Sequence, residues 1–146
     1  MVPPLHWRAG TWTKPPLDIE INPENGRLRA LQLVLQDESV PLAGNAAVPS
    51  IVRSGVPFFD TGAWTESDRY RDERMSVEVR RATDDRLEGW LDSVGEPALV
   101  CRVDSQLDLL FTAEGGLTAI RFGPLTSDEW SKVSVADTPG VTPDST

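Results

Sequence analysis

The sequence predicts a mainly β domain, α+β with little helix. The expected core is one antiparallel sheet of about seven strands, built from three hairpins and followed by a short C-terminal helical turn. Three observations lead there. Apolar residues recur at every second position in several short runs, the period of a half-buried strand. Clusters of Asn, Asp, Gly and Pro separate those runs and supply turn chemistry. Twelve Pro and eleven Gly in 146 residues leave little uninterrupted chain for long helices. A chain of this length corresponds to one domain, expected over residues 1–136.

Leu17, Ile19 and Ile21 alternate with Asp18 and Glu20, and Asn22-Pro23-Glu24-Asn25-Gly26 then turns the chain. The return run, 27–36, carries Leu31, Leu33 and Leu35 on one face and Leu28, Ala30 and Val34 on the other, the pattern of a central strand. A second hairpin spans 75–92. Met75, Val77 and Val79 alternate with Glu78 and Arg80, Thr83-Asp84-Asp85-Arg86 turns, and Leu87, Gly89 and Leu91 return on the inner face with Trp90 opposite. Run 98–104 alternates Leu99, Cys101 and Val103 with Arg102 and Asp104, and a third hairpin passes from 107 through Glu114-Gly115-Gly116 to 123. With one residue skipped at Arg27, the first hairpin aligns on the third, Glu24 with Glu114 and Gly26 with Gly116. Common hairpin chemistry and internal duplication both explain that likeness.

Thr126-Ser127-Asp128-Glu129 has the order of a capping box, which predicts one or two helical turns there. Thr65 and Asp68 offer a similar start over 65–75. Residues 137–146 are too polar and Pro-rich to order themselves and read as a flexible tail. Between the hairpins, residues 37–74 show neither period. A loop that long inside a small domain points to function.

Composition narrows the functions. A net charge of -9 repels phosphate backbones, so nucleic-acid binding is not expected. No run approaches the ~18 apolar residues of a membrane span, and the Pro3-Pro4 opening does not have the form of a signal peptide. With one cysteine there is no internal disulfide, and a reducing, cytoplasmic setting follows. Catalytic sets are scarce as well. A Ser-His-Asp or Cys-His arrangement would have to use His6, the only histidine, and no Gly-x-Ser-x-Gly elbow occurs. Cys101 reads as a small core residue, metal ligands are too few, and no phosphate-cradling glycine loop is present, so no metal or cofactor is expected. The adjacent carboxylates Asp37-Glu38, Asp72-Glu73, Asp84-Asp85 and Asp128-Glu129 read as solvated turn residues. Between Glu66 and Glu88, eight acids and six arginines form a nearly balanced, salt-bridged surface block.

Two features remain for recognition. Phe58-Phe59-Asp60-Thr61-Gly62-Ala63-Trp64 places an aromatic cluster ahead of dense charge, either as a recognition surface or as a cap on one end of the sheet. Five tryptophans are many for this length, and Trp90, if it faces away from Leu91, needs a second layer or a partner to cover it.

The succession of the Asn25-Gly26-Arg27-Leu28 turn, the loop segment from Gly55 through Val56, Pro57, Phe58 and Phe59 to Asp60, two more hairpins, the strand from Gly116 to Phe122 and the Thr126 helix start resembles, over residues 17–130, small acidic bacterial immunity proteins encoded beside secreted toxins. The resemblance implies a protein that binds and occludes a toxin domain without doing chemistry itself. The acidic balance suits a basic toxin surface such as that of a nuclease. On this reading the contact residues expected are Asp37, Glu38, Asp60, Trp64, Glu66, Asp68 and Tyr70. Two alternatives come from other classes. A small-molecule-binding or carboxylate-based enzyme domain would show a closed pocket of Phe58, Phe59 and Trp64 around a buried Asp60. A structural or assembly subunit would bury the Trp90 face between copies.

Overall fold

The computed structural model describes residues 3–10, 17–33, 48–62, 64, 68–91 and 94–131. Among them are ten strands: β1 (Leu5–Gly10), β2 (Leu17–Ile21), β3 (Leu28–Leu33), β4 (Val52–Ser54), β5 (Tyr70–Arg74), β6 (Val77–Arg81), β7 (Leu87–Leu91), β8 (Leu99–Asp104), β9 (Leu107–Phe111) and β10 (Leu117–Phe122). One short helix, α1, covers 127–131. The mainly β class and the three hairpins are as the sequence predicts. The strands, however, form two sheets rather than one, in the orders β3-β2-β1-β5 and β4-β8-β9-β10-β7-β6. Two pairings, β1 with β5 and β4 with β8, are parallel.

The inner faces of the sheets share one core. Leu5, Ala9, Leu17, Ile19, Ile21 and Leu28 of the four-stranded sheet are buried in a single cluster with Leu91, Leu109 and Ile120 of the six-stranded one. Alternation along each strand accounts for it, because successive side chains leave the pleat on opposite faces. Leu5, Trp7 and Ala9 therefore point one way from β1, and His6 and Arg8 the other.

Three readings need correction. Run 27–36, described as far as Leu33, is not a central strand: among the described residues β3 lies at the edge of its sheet, with Arg29, Ala30 and Gln32 exposed. The helix start expected over 65–75 gives way to a strand, β5, whose backbone pairs with β1 from His6↔Tyr70 to Gly10↔Arg74. Its Asp68 does act as a local cap, accepting the Tyr70 N–H at 2.9 Å. The segment 5–10, to which the sequence pattern assigns no element, is β1, a central strand.

The turns of the second and third hairpins match. The Ala82 N–H donates to Arg86 O and the Asp85 N–H to Ala82 O, and thirty residues on, Thr112 donates to Gly116 O and Gly115 to Thr112 O. Asp85 (φ 68) and Gly115 (φ 93) supply the left-handed residue this turn requires. The first hairpin turns one residue later, with Asn22 bonded to Arg27 O. In turn geometry it is the odd member of the three. The capping box of α1 forms as predicted: Thr126 Oγ1 accepts the Glu129 N–H at 3.2 Å and Glu129 Oε1 accepts the Thr126 N–H at 2.8 Å.

The outer face of the six-stranded sheet carries a row of alternating charge. Arg80, Glu88, Arg121, Asp108 and Arg102 are register neighbours across β6, β7, β10, β9 and β8. Glu88 and Asp108 are each 1% exposed and Arg121 is 7% exposed. Glu88 is bonded by Arg121 at 2.8 Å and by the Trp90 indole at 2.9 Å, with Arg80 at 3.3 Å. Asp108 takes Arg102 at 3.0 and 3.2 Å and Arg86 at 3.0 Å, while Arg121 also reaches Asp84 at 3.0 Å. The expectation of a solvated charge block is thus corrected at Glu88, which lies under its arginines because buried carboxylates persist only when paired.

Candidate functional site

One end of the space between the sheets is a half-open cleft of about 260 Å³. It is lined by Trp7, Ile19, Ile21, Phe59, Asp60, Trp64 and Arg71, with Gly115 and Leu117 from the third hairpin. Three parts of the chain build it. Trp7 is on the inner face of β1, in register with Ile19 of β2 and Arg71 of β5. The tip and return strand of the third hairpin close the opposite side. Segment 56–64 supplies the remaining wall.

That segment is fastened to the first hairpin by backbone bonds. The Phe59 N–H donates to Gly26 O at 2.6 Å, the Leu28 N–H donates to Pro57 O at 3.0 Å, and Arg27 and Phe58 form an antiparallel bridge. Gly26 is essential to this approach. Its φ is +80, and a Cβ there would run into the Phe59 carbonyl oxygen. Extended backbone then turns Phe59 inward, its ring 6.2 Å from that of Phe111, and leaves Phe58 63% exposed. Asp60 Oδ1 accepts the Gly62 N–H at 2.9 Å, a turn that carries the chain to Trp64. The Trp64 N–H donates to Thr61 O at 3.1 Å, and its indole Nε1 donates to His6 O at 3.2 Å, pinning the ring beside β1.

Of the residues expected to make contacts, Asp60 and Trp64 are brought together in the cleft. Tyr70 is next to cleft residue Arg71 in sequence yet lies on the opposite face of β5. There its ring stacks on His6 (4.8 Å, 16°) and carries the Arg8 guanidinium at 4.4 Å. Asp68 sits at the start of β5, exposed. Asp37, Glu38 and Glu66 lie outside the described residues, as does the expected tail at 137–146. Phe58 does not line the cleft, and Asp60 is exposed rather than buried. Trp7 and Arg71 were missed. The alternation Leu5, Trp7, Ala9 was the available signal for the first; Arg71, in a charged run, gave none.

The charges of the cleft are unequally satisfied. The Arg71 guanidinium is 3.7 Å from the Glu73 carboxylate. Among the described residues Asp60 has no cationic partner, and its second oxygen is uncommitted. The Arg8 guanidinium, by contrast, is bound by Asp72 at 2.6 and 2.9 Å, a hydrogen bond that raises its already high pKa. His6 Nδ1 is 2.9 Å from Asp18 Oδ1. Cys101 faces the core on β8 and donates to Gly55 O at 3.3 Å; burial, and then the charge of Asp108, push its thiol pKa up. Arg102 is likewise raised by its bond to Asp108.

Among the described residues no group of three or more His, Cys, Asp or Glu is placed to hold a metal ion. No helix among them is long and apolar enough to cross a membrane. Set against protein-family models and against curated proteins, the chain matches none.

Proposed function

We propose that the chain is a non-catalytic protein-binding module, acting as the immunity proteins it resembles act, by binding and neutralising a cognate bacterial toxin domain. The observation that supports this is the cleft: Trp7, Phe59 and Trp64 around an exposed carboxylate. Tryptophan is among the residues most enriched at the hot spots of protein interfaces. The cleft's size, about 260 Å³, falls below the roughly 300–1,000 Å³ of sites that enclose drug-sized ligands, and suits one side chain of a partner. The net charge of -9 would speed encounter with a basic partner. A cytoplasmic setting and independence of any cofactor belong to the same proposal.

The test is co-expression with the product of the adjacent gene, which the proposal requires to carry a toxin domain. A complex should elute as one species in gel filtration, and Trp64→Ala should weaken it by about 2 kcal/mol, roughly 30-fold. Charge reversal at Asp60 together with Asp68 should slow association at low salt. Two species eluting separately would defeat the proposal.

A second reading, binding of a small molecule, draws on the same walls, since Phe59, Asp60 and Trp64 do line one cavity. Its open side and the outward Phe58 favour the protein partner. For the assembly-subunit reading, Trp90 offers less than its position suggests: its indole bonds Glu88 and Arg80 lies 4.7 Å over its ring.

A further inference from the structure

Among the described residues the fold builds one triad three times: an aromatic ring, an arginine stacked on it and a carboxylate holding the arginine. Arg8 lies 4.4 Å over Tyr70 and is bound by Asp72. Arg80 lies 4.7 Å over Trp90 and is 3.3 Å from Glu88. Arg81 lies 4.5 Å over Trp130 and is 2.8 Å from Asp85. The cleft has two of the three parts. Trp7 and Trp64 supply rings and Asp60 supplies the carboxylate, yet among the described residues the stacked guanidinium groups lie on Tyr70, Trp90 and Trp130 and not on either indole of the cleft.

Resting on the protein-binding reading, we infer that the cleft completes a fourth triad by taking the guanidinium of an arginine presented by the partner. A planar, weakly hydrated cation gains from the indole faces and from the carboxylate together, and the apolar walls accommodate its methylene stem. Trp64 Nε1 is already bonded to His6 O, so what that side chain offers a ligand is its ring face. An acidic anchor would meet the free Asp60 oxygen, and a purely apolar one would desolvate that oxygen without replacing its water. Among the described lining residues Arg71 opposes a cation, and its charge is partly offset by Glu73.

Three capped tripeptides carrying arginine, lysine or neutral citrulline at the centre, titrated into the full chain, test this through the indole N–H resonances of Trp7 and Trp64. The arginine peptide should shift both saturably, with a Kd on the order of 1–10 mM, and citrulline should bind about tenfold more weakly. Asp60→Asn keeps an oxygen for the Gly62 N–H and so preserves the turn, but should erase that preference. Arg71→Ala should tighten arginine binding. Citrulline or lysine binding as well as arginine, or no indole shift from any peptide, overturns the inference. A toxin-domain complex indifferent to Asp60→Asn and to competing arginine peptide would sink this inference and leave protein binding intact. Charge-dependent peptide binding with no protein partner would do the reverse.

Discussion

The outer row of the six-stranded sheet and the aromatic cleft draw on the same materials, tryptophan, arginine and carboxylate, and differ in how much of their bonding capacity is spent. In the row, Glu88 and Asp108 are buried and each is held by more than one donor. In the cleft, the Asp60 carboxylate spends one oxygen on its own turn, and among the described residues the other has no partner. Satisfied groups in the interior specify a structure, whereas unsatisfied ones on a rigid wall are available to a ligand. The number of charges in a region therefore says little about its role until their partners are known.

Breaking the row should cost the most. Arg121→Met leaves Glu88 buried with its closest cation gone, and denaturant melts should show a loss of about 3–5 kcal/mol. Adding Glu88→Gln should return part of it, since the buried group then carries no charge that Arg80 must compensate alone. Next comes Gly26→Ala, which strains a left-handed residue and drives a methyl into the Phe59 carbonyl. A loss of about 2–3 kcal/mol in the same melts is expected, with a changed Trp64 environment in fluorescence. Thr126→Ala removes half of the α1 cap and should cost about 1 kcal/mol, leaving the cleft unaffected. Asp60→Asn marks the opposite extreme: a stability change within about 0.5 kcal/mol, with the large effect confined to binding. If Asp60→Asn destabilised the fold as Arg121→Met does, the distinction between the two regions would collapse.

Cys101 adds a pH test. Its folded thiol pKa lies above the ordinary thiol range, so its contribution to stability is whole below that range and fades as pH climbs through it. Alkaline melts of Cys101→Ala should lack that fading, and the native thiol should react slowly with a disulfide reagent at neutral pH.

A strand whose apolar residues alternate over its whole length, such as Leu17–Ile21, was legible in the sequence because burial on one face writes itself into composition. β5 was not. Tyr70–Arg74 has one aromatic and four charged residues, and it is a strand because β1 offers it backbone partners and Arg8 offers its Asp72 a bidentate bond. The same blindness hid half of the cleft. Asp60 and Trp64 stood out as an aromatic and acidic cluster in an aperiodic loop, but a parallel pairing between distant segments has no local signature, and it is that pairing which sets Trp7 beside Arg71. β3 misled for another reason: apolar residues on both faces read as full burial, while in this edge strand Ala30 is exposed and Leu31 and Leu33 are only half-buried.

The parallel joint between β1 and β5 also bears on the order in which the molecule comes apart. It closes a loop whose ends, Arg8 and Asp72, are 64 residues apart, while the hairpins close over a handful. Ring closure of that span is the slower event in assembly and, with β5 an edge strand, the cheaper one to reverse. Amide exchange should accordingly find Tyr70–Arg74 opening as a sub-global unit while β9 and β10 stay protected. Each such opening would take Arg71 from beside Trp7, so the lifetime of the recognition surface is set by the rate at which one strand peels from its neighbour.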